Sequence, residues 1–83
     1  TPEGGKENPF LHLSLHLAIA EQLSIDQPPG ISGLYRQLVA RGGDEHEALH
    51  KILECLGETI WEAQRRKTAP DQAAYLECIR LRV

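Results

Sequence analysis

The chain has 83 residues, of which 41% are hydrophobic and 25% charged, and its formal net charge is −3 at neutral pH. This length predicts one domain with a small core, and the composition is that of a globular chain rather than a disordered one. No apolar run is long enough to span a membrane. We expect no signal peptide, because the N-terminus lacks the basic and apolar regions of such a peptide. The excess of acidic residues argues against a general nucleic-acid binder.

The most apolar stretch is Asn8–Ile25, whose alternating leucines fit a half-buried strand as well as a helix. Its ends favour a helix, because Asn8 is a good N-cap and Pro9 suits the first helical position. The stretch also outlasts a typical strand and is rich in Leu and Ala rather than in β-branched residues. The sequence therefore predicts a helix over residues 9–24.

Wound at about 100° per residue, this predicted helix has a narrow polar strip and a broad apolar face. The strip contains Ser14, Ala18, Glu21 and Gln22. The opposite face contains, in angular order, Leu15, Ile19, His12, Leu23, His16, Ala20 and Leu13. We therefore expect both histidines at the centre of the buried face, where each imidazole needs a partner because an unpaired buried polar group costs about 1–3 kcal/mol.

Three more helices are predicted beyond the two consecutive prolines, Pro28 and Pro29, which break the first. One covers residues 31–41 and ends at a pair of glycines. The next covers residues 45–66, with Asp44 as its cap, acidic residues in its first turn and basic residues in its last. The fourth covers residues 71–81. The expected fold is all-α, a small four-helix bundle that forms a single domain over residues 1–83, with residues 1–8 as a loose lead-in.

The third predicted helix carries two unusual features beside its apolar stripe. Gly57 lies in the row of His46 and His50, and a glycine inside a helix costs about 1 kcal/mol relative to Ala. Close approach of another helix would explain it, although a neutral surface glycine is the alternative.

A ladder of glutamates runs along the same helix at a spacing of four residues: Glu54, Glu58 and Glu62. Such a ladder repels itself unless basic groups or a cation face it. Glu62 has Arg66 one turn further on, whereas Glu54 has no such partner along the helix. The repulsion at Glu54 would therefore be relieved only by a basic group or a cation from elsewhere.

All four histidines occur in H-x-x-x-H pairs, one pair on each of the two long predicted helices. Imidazoles at this spacing converge on one helix face, and two pairs across an interface can supply a tetrahedral nitrogen set. In one interpretation these are core or half-exposed histidines hydrogen-bonded to carboxylates or carbonyls. In the other they bind a divalent metal, zinc or a similar ion. The candidate ligands are His12, His16, His46, His50 and Glu54, with Glu47 as an alternative carboxylate or an acceptor for an imidazole N–H.

The known metalloenzyme motifs are incomplete in this chain. Glu47-x-x-His50 is a single copy of the element that di-iron bundles use twice, and His12-Leu-Ser-Leu-His16 lacks the glutamate of a zinc protease. Four short helices also leave little room for a pocket. The sequence therefore favours a binding or structural module with a histidine cluster between the first and third helices. The second alternative is a metal-binding bundle. A hemerythrin-like or DinB-like metalloenzyme is the least favoured of the three.

Two expectations concern the chain's environment. Cys55 and Cys78 lie inside helical patterns and not in a C-x-x-C spacing, so we expect reduced cysteines in a cytoplasmic protein. The first helix is apolar around most of its circumference, more than one neighbour can cover, so we expect a homodimer.

The chain resembles a family of small uncharacterised bacterial proteins known only as a domain of unknown function. The resemblance is carried by TPEGGKENPFLHLSLHLAIAEQLSIDQPPG, GDEHEALHKILECLGETIWEAQ and APDQAAYLECIR, which together cover nearly the whole chain. It brings no activity or ligand, and it implies that a preceding helical segment of longer members is absent here. It also implies that the family pattern includes Asn8–His16, Glu21, Pro28–Gly30, His46, His50 and Glu54.

Overall fold

A computed structural model describes residues 9–83 of the chain. It contains four helices, α1 (Pro9–Ile25), α2 (Ile31–Gly42), α3 (Glu45–Arg66) and α4 (Gln72–Arg80). Within this range there is no strand, which confirms the predicted all-α, four-helix fold. Each helix begins and ends within one residue of its predicted position. The expected lead-in and the Asn8 cap lie outside the described residues.

Local signals in the sequence determine where the later helices begin and end. The carboxylate of Asp44 accepts a hydrogen bond from the backbone N–H of His46 at 3.0 Å, and that of Asp71 accepts one from the N–H of Ala74 at 3.1 Å. Each contact satisfies an amide that has no partner within its own helix. After α2 the chain turns at Gly43, whose φ of 71° lies in the left-handed region that glycine tolerates best.

Asp26 organises the turn between α1 and α2. Its carboxylate accepts hydrogen bonds from the backbone N–H groups of Gly30 at 3.2 Å and Ser32 at 3.0 Å. These two bonds lower the pKa of the Asp26 carboxyl, because they favour its charged form. The Ser32 hydroxyl in turn donates to the carbonyl of Leu23 at 2.9 Å. The start of α2 is therefore tied to the end of α1.

Helix α3 lies at the centre of the bundle and contacts each of the other three helices. The core is almost entirely aliphatic, with one tyrosine and one cysteine among its members. Its buried residues are Leu15, Ile19, Ile31, Leu38, Ala48, Ile52, Cys55, Leu56, Tyr75 and Ile79. The core therefore joins all four helices, and the histidine pairs of α1 and α3 are brought to one side of it.

The predicted buried face of α1 is partly wrong. Leu15 and Ile19 are buried as expected, but Leu13 is 56% exposed and Ala20 is also exposed. A helix that is apolar around most of its circumference has no single preferred face, so periodicity alone places the buried arc too broadly. The bundle buries a narrower arc around Ile19, with His12 and His16 along it.

The expectation of two reduced cysteines is also wrong. Cys55 on α3 and Cys78 on α4 are joined by a disulfide that links positions 23 residues apart. Two helical cysteines give no sign of their pairing in the sequence, because the distance between them depends on how α4 packs on α3. The expectation of a cytoplasmic location rested on free thiols and loses that basis, since disulfides persist mainly in oxidising compartments.

Two further features of the helices bear on the sequence predictions. A Cβ added at Gly57 would meet no atom within 4 Å, so close approach of another helix does not explain this glycine. Within residues 9–83, no helix combines the length and apolar character that crossing a bilayer requires.

Candidate metal centre

Two of the site's histidines come from consecutive turns of α1. His12 and His16 are four residues apart, which places them on one side of the helix. Their ring centroids are 4.6 Å apart, and the Nε2 atom of His16 lies 3.1 Å from the Nε2 atom of His12. The two rings therefore direct nitrogens at the same point.

Helix α3 adds a third imidazole to this pair. The ring of His50 lies 5.6 Å from that of His12 and 5.4 Å from that of His16, measured between centroids. One ring nitrogen of each residue falls within 4.8 Å of one ring nitrogen of each of the others. The contact between α1 and α3 thus creates a group of three converging histidines, which we call the three-histidine group: His12, His16 and His50.

His46 lies beside this group but is not part of it. Its ring packs against the ring of His50 with centroids 4.3 Å apart, yet its nitrogens are outside the set that lies within 4.8 Å. Its side chain is exposed, one helical turn before His50. The expected clustering of four histidines is therefore present as three converging rings and one adjacent ring.

The glutamates proposed as further ligands have other neighbours. The Glu54 carboxylate accepts a hydrogen bond from the guanidinium of Arg82, which also lies 3.5 Å from the carboxylate of Glu58. Glu54 has no basic partner one turn further along α3, as the sequence indicates, but Arg82 supplies one from outside the helix. The sequence does not reveal this pairing because Arg82 is 28 residues away and meets Glu54 only when residues 81–83 pack against α3.

The rest of the glutamate ladder is also faced by basic groups. Glu62 bonds to Arg65 at 2.7 Å and to Arg66 at 2.9 Å. Both bonds help to lower the pKa of the Glu62 carboxyl. The side chain of Glu47 reaches towards Gly42, and it is not among the converging ligand atoms of residues 9–83. Basic side chains thus face the ladder in the described part of the chain.

The electrostatics at His16 favour a neutral imidazole. Burial lowers the pKa of His16, and the neighbouring imidazoles of His12, His50 and His46 lower it further because like charges would repel. A neutral imidazole carries a lone pair on one nitrogen and can therefore bind a metal ion at neutral pH.

One atom of the group stands out. The Nε2 atom of His50 is buried and has no hydrogen-bond partner among the described residues. By contrast, the His12 and His16 nitrogens are within hydrogen-bonding distance of each other. An unpaired buried nitrogen costs about 1–3 kcal/mol unless something else satisfies it.

Fold and site together define a small four-helix protein with a histidine cluster between its first and third helices. The sequence model of the family described as "Domain of unknown function (DUF1841)" matches residues 1–81. The chain belongs to this family. No curated protein and no solved structure is found to match the chain.

Proposed function

We propose that this protein binds a divalent metal ion, zinc or a similar ion, through the three-histidine group. The observation that carries the proposal is the convergence of three ring nitrogens within 4.8 Å of one another. Zinc binds imidazole nitrogen at about 2.0–2.1 Å in a tetrahedral arrangement, so two such ligands lie about 3.3 Å apart. The 3.1 Å between the Nε2 atoms of His12 and His16 is close to that separation. Only a modest movement of His50 would complete the set.

Two properties of the site support a metal over a purely structural cluster. The buried Nε2 atom of His50 has no partner in residues 9–83, and coordination through this nitrogen would satisfy it. The lowered pKa of His16 keeps its ring neutral, which is the form that binds metals. A metal-free structural module would pair His12 with His16 and leave the His50 nitrogen unsatisfied. For that reason we place metal binding ahead of the structural interpretation.

The described residues do not favour a carboxylate-rich di-iron centre of the ferritin-like kind. Such centres draw several glutamates into the bundle core. Here Glu54 bonds to Arg82, and the converging group contains histidines only. The proposed function is therefore metal binding, without an assigned reaction.

Metal content and thermal stability test this proposal. Purified untagged protein, dialysed against zinc and then against buffer, is expected to retain about one zinc per chain by elemental analysis. Its melting temperature should fall on addition of a chelator, because an ion that binds only the folded state stabilises it. His16→Ala should abolish both the retained zinc and the chelator effect.

The matched control is His46→Ala, which removes the adjacent histidine but leaves all three converging rings. This variant should still retain zinc and should still respond to the chelator. Equal melts of the wild-type protein with and without chelator, together with no retained zinc, would contradict the proposal.

We further propose that two copies associate through the exposed apolar side of α1. Leu13, Leu17, Ala20 and Ser24 are all exposed and are spaced alternately four and three residues apart. Leu13 and Leu17 are 56% and 62% exposed. This spacing is that of the seam along which two helices pack in a coiled coil, so the same surface of a second copy is a suitable partner.

Sedimentation distinguishes a dimer from a monomer. The wild-type chain is expected to sediment as a dimer at tens of micromolar, a concentration at which weak dimers still form. Leu17→Glu should give monomers, whereas Ala18→Glu, on the polar side of the same helix, should not. A wild-type monomer at this concentration would rule out the dimer.

A further inference from the structure

The three-histidine group offers a divalent ion three ligands and no negative charge. An imidazole that coordinates an ion is uncharged, and the described residues place no carboxylate among the converging atoms. Zinc and similar ions take at least four ligands. An ion bound here would therefore have one coordination position open to a further ligand, and the three histidines would not neutralise its two positive charges.

The surroundings do not supply the missing charge. The converging ligand atoms of the described residues come from His12, His16 and His50, and no carboxylate oxygen is among them. Of the two glutamates within one turn of His50 on α3, Glu54 is engaged by Arg82 and Glu47 reaches towards Gly42. A loaded ion would thus have no carboxylate from residues 9–83 among its ligands, so a small anion would gain from binding it.

The fourth position is also not filled by His46. Its ring packs on the ring of His50, and its nitrogens lie outside the converging set. His16 and His50 are only partly buried, so the group is not sealed inside the core. Metal sites with three protein ligands and an open fourth position bind exchangeable ligands, whereas purely structural sites are closed by four.

We propose, on the basis of the metal site proposed above, that the bound ion keeps an open position that takes a small anion, such as a carboxylate or azide. The ion supplies the charge, and the neutral histidines hold it without offsetting that charge. The ligand class of the site is therefore anionic, and the site is of the ligand-binding kind rather than a structural clamp.

Cobalt substitution tests this directly, because Co²⁺ replaces zinc and its visible absorption reports its ligands. Metal-free protein is first titrated with Co²⁺, which should produce a visible spectrum that His16→Ala lacks. The cobalt-loaded protein is then titrated with sodium azide at constant ionic strength, with sodium perchlorate as the weakly coordinating control. We expect azide to shift the cobalt bands and the shift to saturate, while perchlorate leaves them unchanged.

The His46→Ala variant separates an open site from a closed one. If the position is open, the azide response of this variant matches that of the wild type. If azide shifts the bands only in His46→Ala, His46 fills the fourth position and the inference is overturned. If azide shifts neither protein, another ligand closes the site and the inference is again overturned. Failure to bind Co²⁺ at all would instead overturn the proposed metal site itself.

Discussion

The hydroxyl of Tyr75 on α4 donates a hydrogen bond of 2.7 Å to the side-chain oxygen of Gln22 on α1, across 53 residues of sequence. Tyr75 is buried, and burial raises the pKa of its hydroxyl well above the ordinary value. The group therefore remains a protonated donor throughout the neutral range. This bond links α1 directly to α4, whereas α3 contacts both helices from the centre of the bundle.

Tyr75→Phe is expected to destabilise the fold by about 1 kcal/mol, because it removes this hydrogen bond and leaves the Gln22 oxygen without its donor. For a domain of this size that corresponds to a fall of about 4–8 °C in melting temperature. Tyr35→Phe is the matched control, since Tyr35 is only partly buried and its pKa is raised by burial and by the Glu45 carboxylate, not by a hydrogen bond. Circular dichroism melts that show equal losses for the two variants would contradict the prediction.

Breaking the disulfide should destabilise the protein more than any other single change discussed here. The bridge between Cys55 and Cys78 closes a loop of 23 residues, and the loss of loop entropy in the unfolded chain predicts about 3 kcal/mol. Urea unfolding with and without reductant measures this difference. The double variant Cys55→Ala, Cys78→Ala should be insensitive to reductant. A thiol assay on unreduced, unfolded protein that finds both cysteines free would refute the bridge.

Gly57→Ala should stabilise α3 by up to about 1 kcal/mol, because alanine is the better helix former and a Cβ at this position meets open space. Gly43→Ala provides the opposite case in the same chain. Gly43 has a φ of 71°, where a side chain is strained, so this change should cost about 1 kcal/mol. Urea melts of both variants test the pair, and a destabilised Gly57→Ala protein would show that the position is crowded.

The metal-free protein should lose stability as the pH falls below about 6.5. The pKa of His16 is lowered in the folded state, so between that lowered value and the ordinary one the unfolded chain binds more protons than the folded chain. The stabilising contribution is therefore complete above about 6.5 and is lost as the pH falls from there towards the folded pKa. The neighbouring imidazoles of His12, His46 and His50 add to the repulsion once protonated.

Urea unfolding in the presence of chelator, at several pH values between about 5 and 8, measures this dependence above the range in which most carboxylates titrate. His16→Gln removes the titrating ring but keeps a polar side chain, so its stability should vary less over the same range. If the free energy of unfolding of the wild-type protein stays constant or rises as the pH falls to about 5, the lowered pKa of His16 is contradicted.

Much of the helical framework is a local property of the sequence. Asp44 and Asp71 cap their helices through contacts with residues two and three positions away, and Gly43 ends α2 because of its own backbone freedom. Such signals can be recognised without knowing what each helix packs against. The spacing of four between the histidines of each pair is local in the same sense, so the sequence alone predicts that each pair shares a helix face.

The remaining features depend on the packing of one helix against another. Packing of α1 on α3 decides that His50, and not His46, joins His12 and His16. Helix α1 is apolar around most of its circumference, so its sequence could not specify which arc is buried. Packing of residues 81–83 on α3 gives Glu54 its partner Arg82, and packing of α4 brings Cys78 to Cys55. Each pairing joins residues more than 20 positions apart, and only the tertiary structure fixes the distance between side chains so far apart in sequence.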